Sequence, residues 1–203
     1  GAAATVATAG YAALAAQHEL SQPRREFSVA QWWDVGWREL PERRSRIGDV
    51  DATRFDGQVA ASADDFRNRF EQAGWAPTPP LTSRAVRRML HPGVPPAERL
   101  HLPRDFAGKR ETIRLRRMLP DGRARVLRAW DSGARVGTPA VPVWLVQVKT
   151  VAPSVRLGFL QGWKTLDADA AALDALRRAL GPWRVRRPGE SGPVLATPLP
   201  GGR

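Results

Sequence analysis

Histidine is the side chain best suited to acid–base or metal chemistry near neutral pH, and this sequence contains His18, His91 and His101. They are too few and too scattered for the usual zinc spacings. His91 and His101 share one proline-rich loop, which leaves a metal-binding pair there as an alternative. Because there is no cysteine, disulfides and thiolate chemistry are excluded. We predict neither a metal nor a cofactor.

The acidic residues give no stronger catalytic signal. Asp64 and Asp65 could act as paired acids, but they follow Ser62 in a pattern typical of a helix start, where a hydroxyl caps the first turn. The sequence contains no G-x-S-x-G turn, Walker A loop or dinucleotide fingerprint. We therefore predict no catalytic residue, and an enzyme with an unrecognised site is kept as an alternative.

Arginine dominates the charge of the chain. The formal net charge is +12, and lysine occurs only at positions 109, 149 and 164. A basic surface favours acidic partners such as nucleic acid or anionic lipid head groups. Proteins encoded by GC-rich genomes are also rich in arginine. Because the arginines are spread along the chain rather than gathered in one tract, nucleic acid is the less favoured partner.

A predicted hairpin would position several of these arginines. Strands are expected at Thr112–Leu119 and Arg123–Trp130, joined by the turn Pro120-Asp121-Gly122. After a predicted break at Asp131–Ala140, Val141–Val148 is an apolar run typical of a buried strand. The register is open, because a slip of one residue exchanges the two faces.

In either register several arginines of the hairpin should face outward. We predict a contact surface for anions formed by Arg114, Arg116, Arg123 and Arg125. The alternative is a solvated face on which arginine stems cover apolar surface.

Helices should pack on this sheet. Residues 63–73 are predicted to be helical, with Phe66 and Phe70 on one face. A second helix is predicted at Ser83–Leu90, with Val86, Met89 and Leu90 inward, and a third at Asp167–Leu180. Thr53–Ala60 is predicted to be one strand. His91–Pro103 contains four prolines and should be an irregular loop.

The two ends of the chain differ from its middle. Gly1–Gln17 carries no charged residue, which favours the end of a membrane span or a signal-peptide remnant cleaved at Ala13-Leu14-Ala15; a short alanine-rich helix is the alternative. Trp32, Trp33 and Trp37 could lie at a bilayer interface or pack on their own domain. The end of the chain is rich in Pro and Gly and is predicted to be a flexible tail.

Several scattered motifs resemble the LssY C-terminal domain family over residues 38–150. They are Leu40-Pro41-Glu42-Arg43-Arg44, Phe55–Ala61, Ala73-Gly74-Trp75 with Pro79-Pro80, Val126-Leu127-Arg128-Ala129-Trp130 and Pro142-Val143-Trp144. The sequence departs from the family pattern at Val59, where tryptophan is usual, and at Leu145-Val146-Gln147, where Val-Gly-Ser is usual.

The resemblance implies a domain often attached to integral membrane proteins, among them type 2 phosphatidic acid phosphatases and DedA-like proteins. It supplies no catalytic residues. The phosphatase motifs K-x6-R-P, P-S-G-H and S-R-x5-H-x3-D do not occur in the sequence. A phosphatase belonging to the same protein would therefore lie outside this chain.

These observations together predict an α+β fold, a single compact domain with an antiparallel sheet covered by two or three helices. Residues 1–37 would form an apolar, tryptophan-rich tether, residues 38–187 the domain and residues 188–203 the tail. We expect a noncatalytic binding domain of a bacterial envelope protein on the periplasmic side of the membrane. Its expected partners are a membrane or a membrane-embedded domain of the same protein, and anionic lipid or glycan. A nucleic-acid-binding protein is the alternative.

Overall fold

The computed structural model describes residues 25–44, 53–91, 93–156, 159–166, 170–189 and 192–199. The helices are α1 (Val29–Asp34), α2 (Ala63–Gln72), α3 (Ser83–Arg88) and α4 (Ala170–Leu180), with 3-10 turns at Gly36–Glu39 and Pro96–Glu98. The strands are β1 (Glu26–Phe27), β2 (Arg43–Arg44), β3 (Thr53–Arg54), β4 (Gly57–Ala60), β5 (Ala76–Pro77), β6 (Asp105–Phe106), β7 (Lys109–Arg110), β8 (Ile113–Met118), β9 (Ala124–Val136), β10 (Val141–Arg156), β11 (Leu160–Thr165), β12 (Arg184–Arg186) and β13 (Val194–Thr197).

One sheet of nine strands organises the domain. Its order is β12-β13-β4-β10-β9-β8-β5, with β1 beside β9 and β11 beside β10. All pairs in this sheet are antiparallel except β13–β4 and β1–β9. The prediction of one domain built on a mainly antiparallel sheet is confirmed, and four helices accompany the sheet in the described ranges.

The hairpin of β8 and β9 has a definite register. Ile113 lies opposite Ala129, and Leu115 lies opposite Leu127. The turn closes where it was predicted, with the Leu119 N–H donating to the Arg123 carbonyl at 2.8 Å. The predicted break after Trp130 is wrong, because β9 continues to Val136. That extension buries apolar side chains and pairs with β1 along its edge.

The sheet has a core on each of its two faces. The helix-side core joins Trp144 and Val146 to Phe66 and Phe70 of α2 and Leu176 of α4. The tryptophan-side core consists mainly of Trp32, Trp33, Trp37, Leu40, Phe55, Trp130, Val143 and Leu145. Successive side chains of a strand point to opposite faces, so β10 contributes to both cores. This explains why its sequence is a continuous apolar run.

The local signals for two helices were sound. The Ser62 hydroxyl caps α2 by accepting the Asp65 N–H at 3.0 Å, and the buried rings of Phe66 and Phe70 stack at 4.7 Å. The α4 helix ends at Leu180 as predicted, while its predicted start lies outside the described residues.

The predicted inward face of α3 is only partly correct. Met89 is buried, but Val86 and Leu90 are 45% and 49% exposed. The predicted strand Thr53–Ala60 is also wrong as a single element, since Phe55 and Asp56 separate β3 from β4. The two strands belong to different sheets.

The predicted domain limits need correction at both ends. Residues 25–37 belong to the domain, because the tryptophans of α1 and the following turn pack on the sheet. Residues 194–197 are not a flexible tail but strand β13, which pairs with β4 and is largely buried. The apolar stretch Gly1–Gln17 lies outside the described residues. Among the residues that are described, no helix is long and apolar enough to cross a membrane.

Candidate functional site

The structure does not bring the four predicted arginines onto one surface. Arg114 and Arg116 of β8 point to the tryptophan side, because Ile113 and Leu115 beside them point to the helix side. Arg125 lies on the opposite face, two residues before Leu127 of the helix-side core.

The fourth predicted arginine, Arg123, stands at the hairpin turn. It donates to the Asp121 carboxylate at 2.6 Å. Hydrogen bonds from the Arg123 backbone N–H and guanidinium hold the pKa of Asp121 below its usual range. Arg123 is thus engaged locally and apart from Arg114 and Arg116.

The three tryptophans predicted as membrane contacts are buried. Trp32, Trp33 and Trp37 are 0%, 6% and 8% exposed. The Trp33 ring also lies 4.4 Å from the Arg184 guanidinium. Packing on their own domain, which was the alternative, is what the fold uses, because these rings fill the sheet face that α2 and α4 leave open.

A group of charged residues lies on the tryptophan side of β8 and β9, beneath the proline-rich loop. We call it the basic cluster; it consists of His101, Glu111, Arg114, Arg116 and Arg128. Arg114 and Arg128 are direct cross-strand partners, and Arg128 is in turn opposite Gln147 of β10. Register therefore assembles side chains that lie far apart in sequence.

Two arginines of the cluster fasten the loop to the sheet. Arg114 donates to the His101 carbonyl at 2.6 Å, to the Thr78 hydroxyl at 2.8 Å and to the Glu111 carboxylate at 3.2 Å. Arg128 donates to the Leu102 carbonyl at 3.4 Å. A proline-rich loop has unpaired carbonyls, and these guanidiniums satisfy some of them.

His101 is the most perturbed group of the cluster. It is 3% exposed, and its ring stacks on Trp163 with centroids 4.8 Å apart. Burial, and the charges of Arg128, Arg116 and Arg114 after it, lower the pKa of His101 to about 3. The imidazole is consequently neutral at physiological pH.

The cluster carries more positive than negative charge. Three guanidiniums lie near His101, whereas the carboxylate of the cluster, Glu111, contacts two of them, Arg114 and Arg128, and its side chain is 3% exposed. Within the described part of the chain, Nε2 of His101 and Nη1 of Arg116 are buried without a hydrogen-bond partner. Burial also lowers the pKa of Arg116. An unbalanced buried cation is costly, and an added anion would relieve that cost.

A pocket of about 350 Å³ opens beside this cluster, at the edge formed by β5 and β8. We call it the edge pocket; it is lined by Thr78, Leu81, Pro103, Arg110, Glu111, Thr112 and Arg114. Two guanidiniums and two hydroxyls are donors suited to phosphate or carboxylate. The acidic group of the lining is engaged by Arg114 and by the Arg104 backbone N–H. The arrangement can bind an anion.

The sequence signal for this site was incomplete. Alternating arginines marked β8, but the contribution of Arg128 needed the register, and that of His101 needed the loop to fold back. The suggested metal pair is not supported by burial, since His91 is exposed and His101 is buried. In the described ranges no group of three or more His, Cys, Asp and Glu side chains could hold a metal ion.

Comparisons with known proteins gave no relative. No family model, no curated protein and no solved structure matches this chain. The resemblance to the LssY C-terminal domain stays a prediction.

Proposed function

We propose that this chain is a noncatalytic binding domain that recognises an anionic group, a phosphate or carboxylate, carried by an envelope lipid or glycan. One observation supports this most directly: the basic cluster holds three guanidiniums and one carboxylate, next to an open pocket that presents Arg110 and Arg114. Guanidinium forks match these anions bidentately.

Binding fits the basic cluster better than acid–base catalysis does. A histidine with a shifted pKa was the feature expected of an enzyme, and His101 has one. With a pKa of about 3, however, His101 is not present as the imidazolium acid near neutral pH, and its neutral ring is a weak base. Its ring is also buried against Trp163 rather than lining the edge pocket.

A nucleic-acid partner is less well supported than a small anionic group. Proteins that bind single strands stack bases on exposed aromatic rings. Six of the eight tryptophans here are buried, namely Trp32, Trp33, Trp37, Trp75, Trp130 and Trp144.

The proposed setting is the periplasmic side of a bacterial membrane, with a membrane or a membrane-embedded domain of the same protein as partner. The family resemblance and the apolar residues 1–17 support it. In that setting the available anions are lipid head groups and envelope glycans, which share phosphate and carboxylate chemistry.

Calorimetric titration with inorganic phosphate, glycerol 3-phosphate and glucuronate at constant ionic strength tests the proposal. Saturable binding of one of them is expected, and Arg110→Gln or Arg114→Gln, at the two arginines that line the edge pocket, should weaken it about tenfold, as expected for a lost charged hydrogen bond. Arg178→Gln, an exposed position on α4 across the sheet, should leave it unchanged.

The three ligands distinguish a lipid from a glycan as the source of the anion. Preference for glycerol 3-phosphate indicates a lipid, and preference for glucuronate indicates a glycan. Equal weakening by all three substitutions, or the absence of saturable binding, would contradict the proposal. Because Arg110 is exposed, its substitution tests the site even if Arg114→Gln disturbs folding.

A further inference from the structure

Large apolar side chains are exposed at a place remote from the N-terminal tryptophans. Val86 and Leu90, at and just after α3, are 45% and 49% exposed, and Val155 and Phe159 are 52% and 53% exposed. We call these four residues the apolar ledge. Exposed apolar groups are unremarkable singly, but a group of them marks a contact surface.

Backbone contacts show that the two halves of the ledge are neighbours. The Gln161 N–H of β11 donates to the Met89 carbonyl at 2.8 Å, and Val155 is the cross-strand partner of Gln161. The Met89 N–H donates to the Val86 carbonyl at 3.1 Å, which closes the end of α3. Met89 itself is buried, so it anchors the exposed residues around it to the β10–β11 ribbon.

The ledge adjoins a cationic helix. α3 has the sequence Ser-Arg-Ala-Val-Arg-Arg and contains no acidic residue. Arg84, Arg87 and Arg88 are all exposed, and Arg88 is paired with Glu98 at 2.6 Å. Apolar side chains flanked by arginine are the combination that binds the interface of an anionic bilayer.

We propose that the apolar ledge and the arginines of α3 dock this domain on an anionic lipid bilayer. The inference rests on the proposed function only in taking the partner to be anionic, and it uses residues outside the basic cluster and the edge pocket. The ribbon side chains Val155 and Phe159 enter the head-group region, while Arg84 and Arg87 pair with lipid phosphates.

Charge complementarity favours a bilayer as the occupant. The chain has a net charge of +12, and an anionic leaflet attracts such a domain over one Debye length, about 10 Å at 0.1 M salt. Arginine near the surface of an anionic membrane contributes about 1 kcal/mol per residue. The four exposed side chains of the apolar ledge then add short-range apolar contact with the bilayer, which electrostatic attraction alone does not provide.

The absence of native cysteine permits a direct test with one introduced label. Phe159→Cys and Val35→Cys are each coupled to an environment-sensitive dye. The two positions are matched, because both native side chains are 53% exposed. Phosphatidylcholine vesicles containing phosphatidylglycerol should shift the emission at position 159 to the blue and leave position 35 unchanged. Vesicles of phosphatidylcholine alone should give no shift at either position.

Co-sedimentation with the same vesicles measures the contributions to binding. Val155→Thr with Phe159→Ser should weaken partitioning at least tenfold. Arg84→Gln and Arg87→Gln should weaken it about fivefold each. The matched controls are Val35→Thr with Leu199→Ser for the apolar pair, and Arg178→Gln for the arginines.

A blue shift at both labelled positions, equal losses in ledge and control variants, or no sedimentation with either vesicle would overturn the docking surface. Arg110→Gln distinguishes this proposal from the anion pocket. That variant should retain vesicle binding. If the protein binds vesicles but not phosphate, the proposed anion pocket is refuted and the proposed docking surface is not.

Discussion

Arginine serves this fold in two ways that depend on burial. Buried Arg99 donates to the Val94, Ser154 and Gly162 carbonyls, and so ties the proline-rich loop to the β10–β11 ribbon. Exposed arginines such as Arg84 and Arg87 of α3 remain available for partners. Whether Arg114 or Arg116 can bind a ligand therefore depends on how deeply its side chain is buried and on its hydrogen-bond partners, and not on its charge alone.

His101 should make the stability of the protein depend on pH. Its folded pKa of about 3 lies below the ordinary value of 6.5, so the unfolded state binds the extra proton between these values. The free energy of unfolding then falls as pH falls through that window. Between about pH 7.5 and about pH 5 the loss due to His101 is about 2 kcal/mol.

Urea denaturation at these two pH values measures the effect. His101→Phe keeps the ring against Trp163 and removes the titrating group among Arg114, Arg116, Arg128 and Glu111. It should therefore reduce the acid-induced loss by about 2 kcal/mol. His91→Gln, at an exposed position, is the control. A wild-type pH dependence in His101→Phe would refute the assignment.

At the scale of elements, the end strand β13 is a structural part of the sheet. Val194, Leu195 and Ala196 are each 0% exposed, and β13 pairs with both β4 and β12. On the tryptophan side, Arg186 of β12 donates to the Trp33 carbonyl at 3.1 Å. The two ends of the described chain thus meet and close the same side of the domain.

Two leucines near the end of the chain give a matched test of that role. Leu195→Ala should lower the free energy of unfolding by about 2–5 kcal/mol, since Leu195 is fully buried. Leu199→Ala, at a residue 51% exposed, should change it by less than about 0.5 kcal/mol. If chemical denaturation gives equally small changes in the free energy of unfolding for both variants, residues 194–197 are a loose tail and not a structural strand.

At the scale of the whole molecule, the two cores share their central strands. Leu145 belongs to the tryptophan-side core and Val146 to the helix-side core, although they are adjacent in β10. Loss of packing on one face therefore loosens the strand on which the other face depends. We expect the domain to unfold as one unit.

Unfolding curves from tryptophan fluorescence and far-ultraviolet circular dichroism should coincide. Leu145→Ala and Val146→Ala should each shift both curves together, the leucine change costing about 2–5 kcal/mol. Two separated transitions, or a shift confined to one probe, would show that the cores are independent.

The sequence by itself determined the local structure of this protein. The Ser62 cap, the apolar face of α2, the turn at Pro120-Asp121-Gly122 and the apolar run of β10 all depend on neighbours within a few residues. Such signals survive folding because tertiary contacts reinforce them. The α+β class could be predicted from them, since they specify strands and helices without saying how these are ordered.

Only the tertiary structure decided where the side chains of the candidate site lie. A shift of one residue in the β8–β9 register would have placed Arg114 and Arg125 on the same face of the sheet instead of on opposite faces. The folding of the loop over Trp163 buried His101, and pairing with β4 buried Leu195. These outcomes depend on contacts between residues far apart in the chain, and such contacts cannot be predicted from composition and local spacing.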